Sequence, residues 1–189
     1  MSRLGPCLLL AALGCGSDPA GAAGTGGSAG APPAAIMDDC TVAPGVYDEA
    51  WAALYDRKDA VQVDAAQASA FVTPKPGQVL DSTAGPVVLR WTELGPAPAA
   101  KPGVAPAPGV RPHGCSLDQD LYWMQLQIGA ETVHVLNLDR EWTMTAVVLG
   151  KTIAAGGQVT ARLVRAPMVS DRVDAGPFRQ AADVTFQVH

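Results

Sequence analysis

Residues 121–128, LYWMQLQI, alternate apolar and polar side chains more cleanly than any other stretch of the chain. Because successive side chains of a β-strand point to opposite faces, this pattern predicts a half-buried strand. Its predicted inner face holds Tyr122, Met124, Leu126 and Ile128, and its outer face holds Trp123, Gln125 and Gln127. The inner face needs a second layer to cover it, so the stretch predicts an antiparallel, two-layer and mainly β fold.

Further strands are predicted on both sides of this stretch. Residues 131–138, ETVHVLNL, form its hairpin partner, joined to it through the short turn Gly129-Ala130. The other predicted strands are 69–80, an edge strand broken by Pro74 and Pro76, and then 87–91, 158–165 and 183–188. Residues 142–149, WTMTAVVL, fit either a strand or a helix period, and we favour a strand, whereas 166–177 are predicted to be a loop.

A short amphipathic helix is predicted at residues 47–58, YDEAWAALYDRK. Trp51, Leu54, Tyr55 and Lys58 follow helical spacing, and the acidic start and basic end suit the helix dipole. An apolar stripe of this kind is typical of a packing face.

Composition excludes several functional classes. The formal net charge is −5 and there is no basic tract, so nucleic acid is a poor partner. No run of about 20 apolar residues is present that could span a bilayer as a helix.

The N-terminus predicts export. Residues 1–15, MSRLGPCLLLAALGC, combine a basic start with an apolar core and end in ALGC, which resembles the lipobox of bacterial lipoproteins. The resemblance implies that Cys15 is lipidated and holds the protein to the cell envelope, with Gly16 favouring the outer membrane. An ordinary signal peptide with a chance cysteine is the alternative. Residues 16–35, rich in Gly, Ala, Ser and Pro, predict a flexible tether.

Residues 69–189 resemble a fibronectin type III or related immunoglobulin-like domain through the segments TPKPGQVLDSTAGPVVLRW and IAAGGQVTARLVRA. The resemblance implies an antiparallel two-sheet β-sandwich, with a lipocalin-like or jelly-roll barrel as the structural alternative. The family's tyrosine and turn proline would fall at Val159 and Ala155. The chain then divides into a signal peptide (1–14), a lipidated cysteine and tether (15–37), a helical segment (38–68) and the sandwich (69–189), with a Pro-rich loop at 95–112.

Two cysteines, Cys40 and Cys115, remain in the mature chain besides Cys15, and an even pair in an exported protein predicts a disulfide. Residues 113–120 form the densest cluster of possible ligands, with His113 and Cys115 for zinc or Asp118 and Asp120 for calcium. Neither spacing matches an established metal site, so a solvated loop without metal is favoured. No cofactor is predicted. The sequence also contains no convincing combination of a nucleophile with a general base. We therefore interpret the protein as a non-enzyme.

A candidate binding face follows from strand periodicity. Its predicted outward members are Trp123, Gln125, Gln127, Thr160, Arg162, Asp183, Thr185 and Gln187. The sequence predicts a structural or protein-binding envelope module, and the alternative is a carbohydrate-binding module in which an exposed Trp123 stacks on a polysaccharide. Packing of the Trp51 helix over Trp123 would remove that exposure. A metal-dependent or hydrolytic enzyme, which would need residues 113–120 to bind metal tightly, is the third possibility.

Overall fold

The structure, a computed structural model, describes residues 31–37, 46–92 and 117–189. The predictions for Cys15, Cys40, Cys115, His113 and the 95–112 loop lie outside these residues. The described residues form a mainly β fold with two helices, α1 (Val46–Tyr55) and α2 (Ala146–Ala154), and a short 3-10 helix, Lys58–Ala60. The strands are β1 (Ala35–Met37), β2 (Gln62–Val63), β3 (Phe71–Thr73), β4 (Val79–Leu80), β5 (Val88–Trp91), β6 (Asp120–Ile128), β7 (Glu131–Asn137), β8 (Glu141–Thr143), β9 (Gln158–Val169), β10 (Arg172–Val173), β11 (Phe178–Arg179) and β12 (Val184–Val188).

Strand β6 occupies the middle of the large sheet, between β7 and β9. The predicted hairpin is confirmed, because β6 and β7 pair from Tyr122 with Asn137 to Ile128 with Glu131. The turn between them passes through Gly129 at φ +58°, a backbone conformation that glycine adopts without a steric penalty.

The large sheet is mixed rather than antiparallel throughout, which corrects the prediction. Its centre is antiparallel, but β1 pairs in parallel with β7, β2 with β11, and β4 with β12. Each of these added strands has only two or three residues and reaches the sheet from a distant part of the chain. Strands so short carry no alternating pattern from which their direction could be predicted.

The second sheet covers the inner face of the first, and the two fit a β-sandwich. It has the order β3-β5-β8 within the described residues and is antiparallel. Leu89, Trp91 and Trp142 from this sheet pack with Met124, Leu126 and other inner-face residues of the large sheet in one core. The predicted inward positions of the 87–91 strand are therefore confirmed.

Helix α1 lies on the outer face of the large sheet and forms a second core there. Trp51 and Leu54 of the helix pack with Leu136 of β7 and Val164 of β9. Alternation within 158–165 places Val164 outward, and it is outward, but the helix buries it completely. The prediction that the helical stripe is a packing face is confirmed.

The segment 142–149 is not one strand, which corrects the preference stated above. Strand β8 ends at Thr143, and Thr145 then caps α2, its side chain accepting a hydrogen bond from the backbone N–H of Val148. A capped helix start outweighs the strand propensity of the following valines. The predicted 166–177 loop is also shorter than expected, since β9 runs on to Val169. Neither helix within the described ranges is long and apolar enough to cross a membrane.

Candidate functional site

The open half of the outer face is built by residues in register on four strands of the large sheet. One cross-strand row joins Thr132, Gln127, Thr160 and Thr185. The next row joins His134, Gln125 and Arg162. Side chains directly opposite each other on neighbouring strands lie within contact range, so these rows form a continuous polar surface.

Trp123 does not belong to this open surface, which corrects its predicted place on the candidate binding face. Its side chain is 3% exposed. The ring lies edge-on to Trp51 of α1 at a centroid distance of 5.0 Å and is 6.3 Å from Tyr55. The apolar stripe of α1 needs an apolar partner, and Trp123 together with Leu136 and Val164 supplies one. The alternative in which the Trp51 helix covers Trp123 is the arrangement found.

The remaining polar side chains line a cleft of about 270 Å³, which we call the polar cleft. Its lining residues are Gln125, Gln127, Thr132, Thr160, Arg162 and Asp183. Five of them were predicted as members of one outward face, and Thr185 and Gln187 lie beside them on β12. Thr132 was missed, although the alternation of 131–138 places it on the same side as His134 and could have identified it.

An ion pair fixes one wall of the polar cleft. Arg162 donates to both carboxylate oxygens of Asp183, from Nε to Oδ1 at 3.0 Å and from Nη2 to Oδ2 at 2.8 Å. The hydrogen bond to Asp183 raises the pKa of Arg162 above its usual value. Because the pair is bidentate, it holds both side chains in one geometry and leaves the wall neutral overall.

Hydrogen bonds between neutral groups fix the side chains on the floor of the cleft, but one side-chain amide, that of Gln125, has no partner among the described residues. The Thr132 hydroxyl donates to Gln127 Oε1 at 2.7 Å, and Gln127 Nε2 donates to the Gly129 carbonyl at 2.9 Å. The hydroxyls of Thr160 and Thr185 lie 3.0 Å apart. In contrast, the Gln125 side chain makes no hydrogen bond to any described residue, so its donor and acceptor are available to a bound molecule.

His134 lies where the polar cleft meets the second core. Trp123 Nε1 donates to His134 Nδ1 at 3.1 Å, so the neutral imidazole carries its proton on Nε2. Burial lowers the pKa of His134 below its usual value of 6.5. A neutral donor is therefore present beside Gln125, and the whole surface suits polar, uncharged groups.

The described part of the 113–120 cluster is engaged in structural contacts. Asp118 Oδ1 accepts from the backbone N–H of Ser170 at 2.6 Å. Asp120 pairs with Arg165, with Arg165 Nε 2.7 Å from Asp120 Oδ2. No group of three or more potential metal ligands occurs within residues 31–37, 46–92 and 117–189.

The Arg165–Asp120 pair lies on the inner face of the large sheet, where Arg165 is 2% exposed. Strand parity could have revealed it, since Arg165 follows Val159, Ala161 and Leu163 at alternate positions. Tyr122 lies opposite Arg165, and burial, followed by the charge of Asp120, raises the pKa of its phenol. The pair caps the end of the sandwich core and is separate from the polar cleft.

No protein-family model, curated protein or solved structure matches this chain.

Proposed function

We propose that the chain is an exported, lipid-anchored envelope protein whose folded part is a non-catalytic module that binds another envelope protein through the polar cleft. The cleft carries the proposal, because strands in fixed register present its side chains on a rigid surface and the Gln125 amide is unused. The lipobox at Cys15 and the following Gly-rich tether support anchoring to the outer membrane.

A protein partner fits the cleft better than a polysaccharide. A polysaccharide would need an exposed aromatic ring on this face to stack against. The predicted ring, that of Trp123, is buried beneath α1 and cannot serve. Side-chain amides such as Gln125 match the paired donor and acceptor of a peptide group. The neutral Arg162–Asp183 wall favours uncharged polar groups over either sign of charge.

The finer assignment of the sandwich to the fibronectin type III or immunoglobulin-like class remains a proposal. The position of Trp91 in the sandwich core supports it. The parallel edge strands, and Val159 in place of the family's tyrosine, are departures from that pattern. The Cys40–Cys115 disulfide is likewise proposed, and the mass of the reduced and oxidised mature protein would test it.

The anchor is tested by replacing the proposed lipid attachment point. We expect Cys15→Ser to move the protein from the membrane fraction to the soluble fraction and to abolish incorporation of labelled palmitate. Cys7→Ser is the matched control, because Cys7 lies in the segment removed with the signal and should not affect either readout. Retained palmitate labelling in the Cys15 variant would reject the lipoprotein assignment.

Binding is tested by photo-crosslinking in cells with a reactive amino acid at Gln125. We expect one discrete crosslinked protein, and we expect Thr160→Lys, which places an unpaired charge in the cleft, to abolish it. The same reactive residue at Gln62, exposed on edge strand β2, is the control and should give no such product. Equal crosslinking from both positions, or insensitivity to Thr160→Lys, would contradict the proposal.

A further inference from the structure

The side of helix α2 that points away from the sandwich core is apolar and exposed. Val148 and Thr152 form the buried side of the helix. Val147 is 71% exposed, Ile153 is 50% exposed, and the small residues between them are exposed as well. We call this set the α2 face, and its members are Ala146, Val147, Gly150, Ile153 and Ala154. A surface helix usually carries charged residues on this side, so the α2 face has the composition of a contact surface.

The α2 face carries no net charge. Lys151 is the only charged residue of α2, and its Nζ lies 2.5 Å from Oε1 of Glu131 at the start of β7. The two charges neutralise each other, whereas the whole chain has a formal net charge of −5. Binding to a bilayer surface increases with the apolar area that is buried, and a neutral face is not repelled by anionic lipids. The α2 face therefore suits a lipid surface although the protein is acidic.

The chain enters the fold beside the α2 face. A notch of about 290 Å³ lies between them, with residues 34–36 on one wall and Val147 and Lys151 on the other. Just before the notch, the Pro33 carbonyl accepts a hydrogen bond from Trp51 Nε1 at 2.9 Å, which holds the chain against α1. The proposed tether from Cys15 therefore joins the folded part next to the α2 face.

This tether is short compared with the folded part. Residues 16–34 connect Cys15 to β1. A Gly-rich chain of this length has a root-mean-square span of about 25 Å, and a small domain is about 30 Å across. The side where the chain enters is therefore held nearest to the bilayer, and the high effective concentration there favours even a weak contact.

We propose that the α2 face lies on the surface of the bilayer in which Cys15 is anchored, with Val147 and Ile153 inserted at the boundary between head groups and acyl chains. This inference rests on the lipid anchor proposed above. The notch and the polar cleft share Thr132, so the contact holds the polar cleft close to the membrane surface. It thereby gives the module one orientation toward its envelope partner.

The test is photo-crosslinking in cells, with a photoreactive amino acid at position 147 of the full chain and phospholipid adducts detected by mass spectrometry. Val63 is the matched control position, because it is 54% exposed and lies on β2, at the opposite edge of the large sheet from β1. We expect phospholipid adducts from position 147 in an excess of about tenfold over those from position 63.

A charge placed in the α2 face separates membrane contact from anchoring. With the photoreactive residue at position 153, we expect Val147→Asp to reduce phospholipid adducts about tenfold, because a carboxylate resists removal from water. The fold tolerates this change, since the side chain is exposed and an acidic residue in the first turn interacts favourably with the helix dipole. Val63→Asp is the matched control and should leave the yield unchanged, and palmitate incorporation should be the same in all of these proteins.

The palmitate measurement distinguishes failure of this inference from failure of the anchor. If the chain incorporates palmitate but position 147 gives no more phospholipid adduct than position 63, or if Val147→Asp has no effect, the membrane contact is rejected and the anchor stands. Adducts to a second copy of the chain or to another protein, in place of phospholipid, would overturn the inference in the same way. Absence of palmitate would reject the anchor and the membrane contact together.

Discussion

His134 connects the two halves of the outer face at the scale of a single residue. It accepts a hydrogen bond from Trp123 of the second core, and its register places it beside Gln125 of the polar cleft. Its imidazole also lies 6.0 Å, centroid to centroid, from the ring of Trp51. The protonation state of this one ring therefore affects the contact between helix and sheet.

We expect protonation of His134 to lower the free energy of unfolding. Burial lowers the folded-state pKa below 6.5, so the unfolded chain binds the proton more tightly. This contribution is complete above 6.5 and is lost as the pH falls through 6.5 toward the lower folded-state pKa. A proton on Nδ1 would also break the bond from Trp123. The measurement is the urea midpoint between about pH 5 and 8.

The matched variants for this prediction are His134→Gln and His189→Gln. The first removes the titrating group and should flatten the loss of stability on acidification. The second leaves His134 in place, so the loss attributed to His134 should persist. An unchanged pH dependence in His134→Gln would show that another group is responsible.

Local pattern predicts the long elements of this fold but not its short ones. β6, β7 and β9 are each seven residues or longer and alternate over part of their length, and α1 has a clear apolar stripe, so each was predicted from the chain alone. Strands β1 and β2, with three and two residues, exist because they complete sheet edges, and that reason is tertiary. The covering of Trp123 was left open because alternation identifies a face but not what packs on it.

The candidate site divides in the same way. The polar cleft was largely predictable, because Gln125, Thr160 and Arg162 owe their common face to strand parity. A separate cavity of about 360 Å³, lined by Phe71 and Leu163, was not predictable, since it lies where β9 changes its partner from β12 to β11.

The turn between α2 and β9 passes close to the backbone of β12. Gly156 and Gly157 have φ values of +89° and +80°, but only at Gly157 would a Cβ collide with a neighbouring group, the Val188 carbonyl oxygen of β12. We expect Gly156→Ala to cost about 1–2 kcal/mol from its backbone conformation. Gly157→Ala should cost more, because β12 would also have to shift. Chemical denaturation of both variants measures the difference, and equal losses would contradict the close approach.

At the scale of the whole molecule, the two cores share the same strands. Leu121 and Trp123 of β6 enter the second core under α1, whereas Tyr122 and Met124 enter the sandwich core. β9 divides its side chains between the cores in the same way, with Leu163 on one side and Val164 on the other. Neither core can lose its packing without disturbing the strands that support the other.

The four tryptophans allow each core to be followed separately during unfolding. Trp91 and Trp142 belong to the sandwich core, and Trp51 and Trp123 belong to the second core. We expect a Trp91→Phe, Trp142→Phe variant, which reports fluorescence from the second core, to show a transition that coincides with its far-UV circular dichroism.

The complementary Trp51→Phe, Trp123→Phe variant, which reports fluorescence from the sandwich core, should show the same coincidence, although its denaturation midpoint should be lower. Its replacements remove the bonds from Trp51 to the Pro33 carbonyl and from Trp123 to His134, whereas the Trp91 and Trp142 N–H groups have no partner among the described residues. If fluorescence from the second core changes at a lower denaturant concentration than the circular dichroism, α1 detaches before the sandwich unfolds, and the shared strands do not couple the two cores.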